Sequence, residues 1–129
     1  MVREAVLGLA NRAPAADELE RMRELVHQAM KDGAFGLSTG LFYVPGAFTP
    51  LEEVVELQKV VAPFRGVHTS HMRDEGARVV ESVYETIAIG ELGGVPTHVS
   101  HHKRPASRTG ARALKRSRLS TLRALAAPM

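Results

Sequence analysis

The chain has 129 residues, 44% of them hydrophobic and 24% charged, with a formal net charge of +3. This is an ordinary soluble composition. The absence of cysteine excludes disulfides and thiolate metal sites within it, and no apolar run approaches the roughly 20 residues of a membrane span. The length supports one modest core, but it is only about half of the roughly 250 residues of a full (β/α)8 barrel.

The charge is unevenly distributed. Residues 1–102 carry nine Lys and Arg against fourteen Asp and Glu, whereas residues 103–129 carry eight Lys and Arg and no acid. A basic tail can signal nucleic-acid binding. It can equally be a segment that does not belong to the fold. The first seven residues carry an acid early and lack a long apolar core, so they do not read as a signal peptide. The expected location is the cytoplasm.

Residues 2–9 read as the end of a helix, and 11–16 as a linker containing Pro14. A helix is expected to start with Asp17 as N-cap and Glu20 three residues on, a capping-box pattern. Leu19, Met22, Leu25, Val26, Ala29 and Met30 recur at three- and four-residue spacing and predict one core-facing stripe. His27 lies off that stripe and is expected at the surface or its edge. Gly33 ends the helix as a C′ glycine. Residues 34–41 are small and apolar and predict a buried strand, followed by a loop through Phe42, Tyr43 and Pro45.

Thr49, Pro50 and Glu52 predict the next helix start, with Thr49 as cap. Leu51, Val54, Val55, Gln58 and Val61 share or adjoin one face of it, and Pro63 stops it. Residues 67–71 form the next predicted strand, with a loop through Arg73, Asp74, Glu75 and Gly76. A third helix is expected over 76–92, with Val79, Val80, Val83, Ile87 and Tyr84 inward and Gly93-Gly94 as its cap. Residues 97–101 form the last predicted strand. Helices and strands alternating with short connections predict an α/β fold with right-handed βαβ units and a parallel sheet.

Two predicted strands end in histidine. Side chains alternate faces along a strand. His68 and His71 therefore point to opposite faces, as do His98 and His101. One expected face carries Val67, Thr69 and His71; in the other strand Thr97, Val99 and His101 share a face. His71 and His101 sit at the C-terminal strand ends, where barrel active sites form, so they are the better candidate metal ligands. His68, His98 and His102 read as packing, supporting or exposed residues. From spacing alone, packing histidines without a metal remain an open alternative. Arg73 and Lys103 each lie two residues past a candidate ligand. Each can hold a substrate carboxylate or be a solvated loop cation.

The string GAFGLSTGLFYVPG at 33–46, HTSHMRDEG at 68–76 and VSHHK at 99–103 resemble the N-acyl-D-amino-acid deacylases (D-aminoacylases) of the amidohydrolase superfamily. So does ELERMRELVHQAMKDGAFG at 18–36. The resemblance covers residues 2–103. It implies a zinc-dependent (β/α)8 barrel, of which this chain carries strands four to six with their helices. It also implies hydrolysis of the acyl-amide bond of N-acyl-D-amino acids by a metal-activated water. His71 and His101 match zinc ligands at the ends of strands five and six. Lys103 matches a lysine on the substrate carboxylate, and Tyr43 matches an active-site tyrosine. The implied partner is this small-molecule substrate, with neither nucleic acid nor membrane.

The sequence departs from the family pattern in three places. The strand-one His-x-His or His-x-Asp motif, the ligand cysteine and the strand-eight aspartate base are all missing from it. Three parallel strands cannot close a barrel, so this chain alone is expected to be inactive. The alternative is a non-catalytic remnant, or a binding module using the basic tail, which has no aromatic residue to stack on a base.

The expected domain division is 1–103 as partial barrel and 104–129 as basic tail. Thr109-Gly110-Ala111 is what the codons of the family's Asn-Trp-Gly motif (AAC TGG GGC) yield when read one base later. We therefore read the tail, as a hypothesis, as translated in a shifted frame. Translating the encoding DNA in the other two frames should reveal Asn-Trp-Gly near this position, and its absence from both frames would remove the reading.

Overall fold

Among the described residues, periodic apolar stripes separated by glycine and proline fold into four α-helices and three strands. The computed structural model describes residues 1–101; His102, Lys103 and the basic segment 104–129 lie outside the described residues. The elements are α1 (Val2–Leu7), α2 (Ala16–Lys31), β1 (Gly36–Gly40), α3 (Leu51–Val61), β2 (Val67–His71), α4 (Val79–Gly93) and β3 (Thr97–Val99). The strands form one parallel sheet in the order β1-β2-β3. Gly40 aligns with His71, and Thr69 with His98. No helix among the described residues is long and apolar enough to cross a membrane.

Two helix starts differ from expectation. The N-cap of α2 is Ala15, where Glu18 accepts the Ala15 backbone N–H at 2.8 Å. Alanine offers no side-chain acceptor, so only this half of a capping box exists. Arg12 pairs with the same Glu18 carboxylate at 2.6 and 2.7 Å and anchors it there, ahead of the expected Asp17 cap. In α3 the cap is Pro50, without a side-chain bond. Thr49 is buried and serves another purpose, described below. The end of α2 matches the reading, with Gly33 at φ 102° just past the cap residue Asp32.

The core has two parts. Met22, Val26 and Met30 of α2 meet Leu57 and Val61 of α3, with Leu7 and Val95. Leu41, Val54, Val55 and Ile89 form the second. The stripe of α2 is narrower than read, because Leu25 and Ala29 are exposed.

Helix α4 turns a different face inward from the one hydrophobicity suggested. Its buried residues are Ser82, Thr86, Ile89, Gly90 and Gly93, while Tyr84 and Ile87 are exposed. Close approach is the reason. A Cβ on Gly90 would lie 2.8 Å from Thr97 Cβ, and one on Gly93 would lie 2.5 Å from Gln58 Cβ. Small residues let α4 ride against α3 and β3 beside the buried Ile89, while Tyr84, Ile87 and Leu92 face outward.

The two sheet faces have opposite characters. His68 and Ser70 of β2 are fully buried, whereas Val67 is exposed and Thr69 and His71 are half-buried. β1 is also half-exposed rather than buried. On the covered face, His68 joins all three strands. Its Nε2 lies 3.0 Å from Thr39 Oγ1 and its Nδ1 lies 2.7 Å from Thr97 Oγ1, while Thr39 also bonds Ser70 at 3.0 Å. Burial lowers the His68 pKa to about 4.

A buried ion pair fastens α1 to α3. Arg3 Nη1 bonds the Glu53 carboxylate, and Arg3 Nη2 donates to the Ala10 and Arg12 carbonyls at 3.1 and 2.7 Å. Burial raises the Glu53 pKa, against the opposing pull of Arg3.

Removing one partner leaves a buried charge unpaired, so Arg3→Ala should cost roughly 3–5 kcal/mol in urea unfolding. Arg3→Met combined with Glu53→Leu should cost clearly less. Equal losses in the single and double variants would contradict this account.

His68 predicts an acid sensitivity. Its folded pKa of about 4 lies below the usual value of 6.5, so the unfolded chain takes up the proton first. Its contribution is full above about pH 6.5 and declines as the pH falls toward 4, by on the order of 2–3 kcal/mol. Melting His68→Gln between pH 7.5 and 4.5 should show a weaker dependence on pH than the wild type. An unchanged slope would assign the acid sensitivity elsewhere.

Candidate metal centre

The parallel register brings the C-terminal ends of β2 and β3 side by side. His71 closes β2, and its carbonyl accepts the Leu41 N–H at 3.0 Å. β3 ends at Val99, after which Ser100 N–H still bonds the Ser70 carbonyl at 2.9 Å. The next residue, His101, meets His71, with His101 Nε2 2.9 Å from His71 Nδ1. The rings are edge-to-face at 4.5 Å.

The two histidines meet by a different route from simple alternation. Thr97 aligns with His68 and Val99 with Ser70, so both belong to the helix-covered face. His98 aligns with Thr69 and is exposed on the open face. Continued alternation would have carried His101 to the covered face. The strand instead breaks after Val99, and that break brings His101 beside His71.

A third group completes the cluster. The Glu75 carboxylate contacts His101 Nδ1. Among the described residues, neither Glu75 Oε1 nor His101 Nδ1 has a further partner, and both atoms are buried. Ligand atoms of His71, Glu75 and His101 lie within 4.8 Å of one another. The loop is turned by Asp74, whose Oδ1 accepts from Gly76 N at 2.6 Å and Arg78 N at 3.3 Å. Asp74 N donates to Ser82 Oγ at 3.0 Å, tying the turn to α4. Glu75 escaped the sequence reading because a carboxylate in a polar loop carries no periodicity. The available signal was the Asx-type turn at Asp74-Glu75-Gly76, which folds the loop back over the strand end.

Aromatic rings wall one side. The Tyr43 ring lies 4.9 Å from the His71 ring and the Phe42 ring 5.8 Å from it. Tyr43 is exposed at the mouth of the site.

Arg73 occupies a different position from that of a free substrate cation. Its Nε and Nη2 bind Glu85 of α4 at 3.1 and 2.9 Å, Nη1 binds the Ala47 carbonyl at 2.9 Å, and Nη2 binds the Thr49 carbonyl at 2.8 Å. The guanidinium thus clamps the loop after β1 to α4. This is the purpose served by buried Thr49. Lys103 lies outside the described residues.

The donor set suits a metal. Two converging imidazoles with a carboxylate behind one of them are groups of the kind found around zinc. Among the described residues, the buried Glu75 Oε1 and His101 Nδ1 have no hydrogen-bond partner beyond their contact with each other.

No family model matches the chain. A D-aminoacylase from Alcaligenes xylosoxydans xylosoxydans is 41% identical over 102 residues, 79% of this chain and 21% of the relative. A crystal structure of D-aminoacylase, described as defining a novel subset of amidohydrolases, superposes with a TM-score of 0.77 at 41% identity, covering 80% of this chain and 22% of that one. An N-acyl-D-glutamate deacylase from Bordetella bronchiseptica, complexed with zinc and a phosphonate inhibitor, gives a TM-score of 0.75 at 42% identity over the same shares of the two chains. The chain spans about a fifth of the length of these relatives. It is a homologue of one segment of the N-acyl-D-amino-acid deacylases (D-aminoacylases), which are amidohydrolases.

Proposed function

We propose that this chain is the strand-four-to-six segment of a zinc-dependent (β/α)8-barrel amidohydrolase acting on N-acyl-D-amino acids, and that His71 and His101 hold the metal. One observation carries the proposal: the two imidazoles converge at the C-terminal ends of neighbouring parallel strands. A relative at 42% identity was solved with zinc, and relatives are named for deacylation of D-amino-acid derivatives.

Zinc at such a site polarises an acyl carbonyl and lowers the pKa of a bound water. The chain's own residues would serve the substrate around it. Tyr43 borders the mouth of the site and offers a hydroxyl and a ring face to a substrate. Lys103, two residues past His101, would supply the cation for the substrate carboxylate. Arg73 would hold the loop carrying Tyr43 in register with the strand ends, rather than bind substrate itself. In this reading residues 1–103 are barrel and 104–129 are the shifted-frame tail. The partner is a small-molecule substrate in the cytoplasm, without nucleic acid or membrane.

The test uses the purified 129-residue chain in a zinc competition assay against a chromophoric chelator. One zinc should bind per chain. His71→Ala or His101→Ala should each weaken binding by more than the roughly 10–100-fold that a supporting residue contributes. Turnover of N-acyl-D-amino acids with added zinc should be undetectable for this chain alone. Unchanged zinc affinity in both variants would defeat the metal assignment, and chelator-sensitive turnover would defeat the expected inactivity.

A further inference from the structure

We propose that Glu75 is a positioning residue: its carboxylate holds His101 in the tautomer protonated at Nδ1, so that the Nε2 lone pair points toward His71. The proposal rests on the reading of His71 and His101 as the metal-holding pair. It adds a group that neither the resemblance nor the strand pattern supplies.

The two nitrogens of His101 face different partners. Nε2 lies 2.9 Å from His71 Nδ1, and Nδ1 contacts the Glu75 carboxylate. An ionised carboxylate offers only lone pairs, so a proton on the nitrogen facing it removes lone-pair repulsion at this contact. The lone pair of the neutral ring is then on Nε2, the nitrogen that converges with His71. A carboxylate behind a metal-bound imidazole commonly fixes ring orientation and raises ligand basicity.

The surroundings leave Glu75 available for this task. Its contacting oxygen is buried and, among the described residues, has no hydrogen-bond partner to draw it away from His101. Arg73, the cation two residues earlier, is committed to Glu85. Asp74 fixes the turn that delivers Glu75, through its bonds to Gly76 and Arg78.

A second consequence follows for His71. Without metal, Nε2 of His101 is an acceptor, so His71 donates from Nδ1. Taking a metal on His71 Nδ1 requires its proton to move to Nε2 of the same ring. The tautomer of His71 therefore switches on loading, while that of His101 does not.

Long-range proton–nitrogen NMR of the uniformly labelled full chain reads both rings. In metal-free wild type, His101 should be the Nδ1–H form. Zinc should switch His71 to Nε2–H and leave the His101 proton in place. Glu75→Gln should abolish the His101 preference and weaken zinc binding by about 10–100-fold, with the far-UV spectrum unchanged. Glu75→Asp should fall between the two.

A wild-type His101 ring dominated by Nε2–H, as in an unstructured chain, would overturn the proposal without needing any variant. A loss in Glu75→Gln as large as in the histidine variants would also overturn it, making Glu75 a direct ligand. Failure of the wild type to bind zinc would defeat the metal reading instead, and the metal-free tautomer would still decide the role of Glu75.

Discussion

The site depends on the parallel register between β2 and β3. With Ser70 aligned to Val99 and Ser100 N–H bonded to the Ser70 carbonyl, the residues after the two strands must emerge at the same level. His71 and His101 lie thirty positions apart in sequence and meet because a crossover helix between them returns the chain in parallel. An antiparallel pair would have put the end of one strand against the start of the other. The small inner face of α4 belongs to the same constraint. Gly90 and Gly93 allow the helix to lie close enough to β3 and α3 for that crossover to fit.

β2 shows how one strand can serve two environments. His68 and His71 are three residues apart, an odd spacing, so one ring enters the covered core and the other reaches the open face. The chemistry follows from position rather than residue type. Burial lowers the His68 pKa to about 4, and its two nitrogens are occupied by threonine hydroxyls. It is a neutral cross-strand tie. His71 is half-buried, walled by Phe42 and Tyr43, and faces another imidazole. Exchanging the two environments would leave a sheet without its tie and a strand end without the imidazole that faces His101.

The legible part of the fold was the part written in periodicity. The bounds of β2, the order of elements, the glycine stop of α2 and the valine face of α3 all follow from residue spacing. The outward placement of Tyr84 and Ile87 was not legible, because close packing of small residues outweighed the hydrophobic pattern. At the site, His71 could be read from alternation. His101 does meet His71, but through a strand break that alternation cannot register. Glu75 and the clamp through Arg73 were hidden for a common cause. Loop residues are placed by specific hydrogen bonds, here those of Asp74, Ala47, Thr49 and Glu85, and such bonds leave no repeating trace in a sequence.

The exposed apolar surface bears on the larger architecture we propose. Phe35, Phe42, Tyr43, Val44 and Val67 are exposed around β1 and β2, and Tyr84, Ile87 and Leu92 are exposed on α4. A soluble domain seldom leaves this much apolar surface without a partner. In a closed barrel, the open face of β2 would turn toward the barrel interior, and the outer residues of α4 would meet the next helix. The same closure would surround His71, Glu75 and His101 with further strand ends. A low-dielectric surrounding strengthens hydrogen bonds and other polar contacts, so the Glu75–His101 contact would matter more there than in the segment alone. The segment thus carries a converging pair of imidazoles, and in the proposed architecture the barrel would supply the enclosure around them.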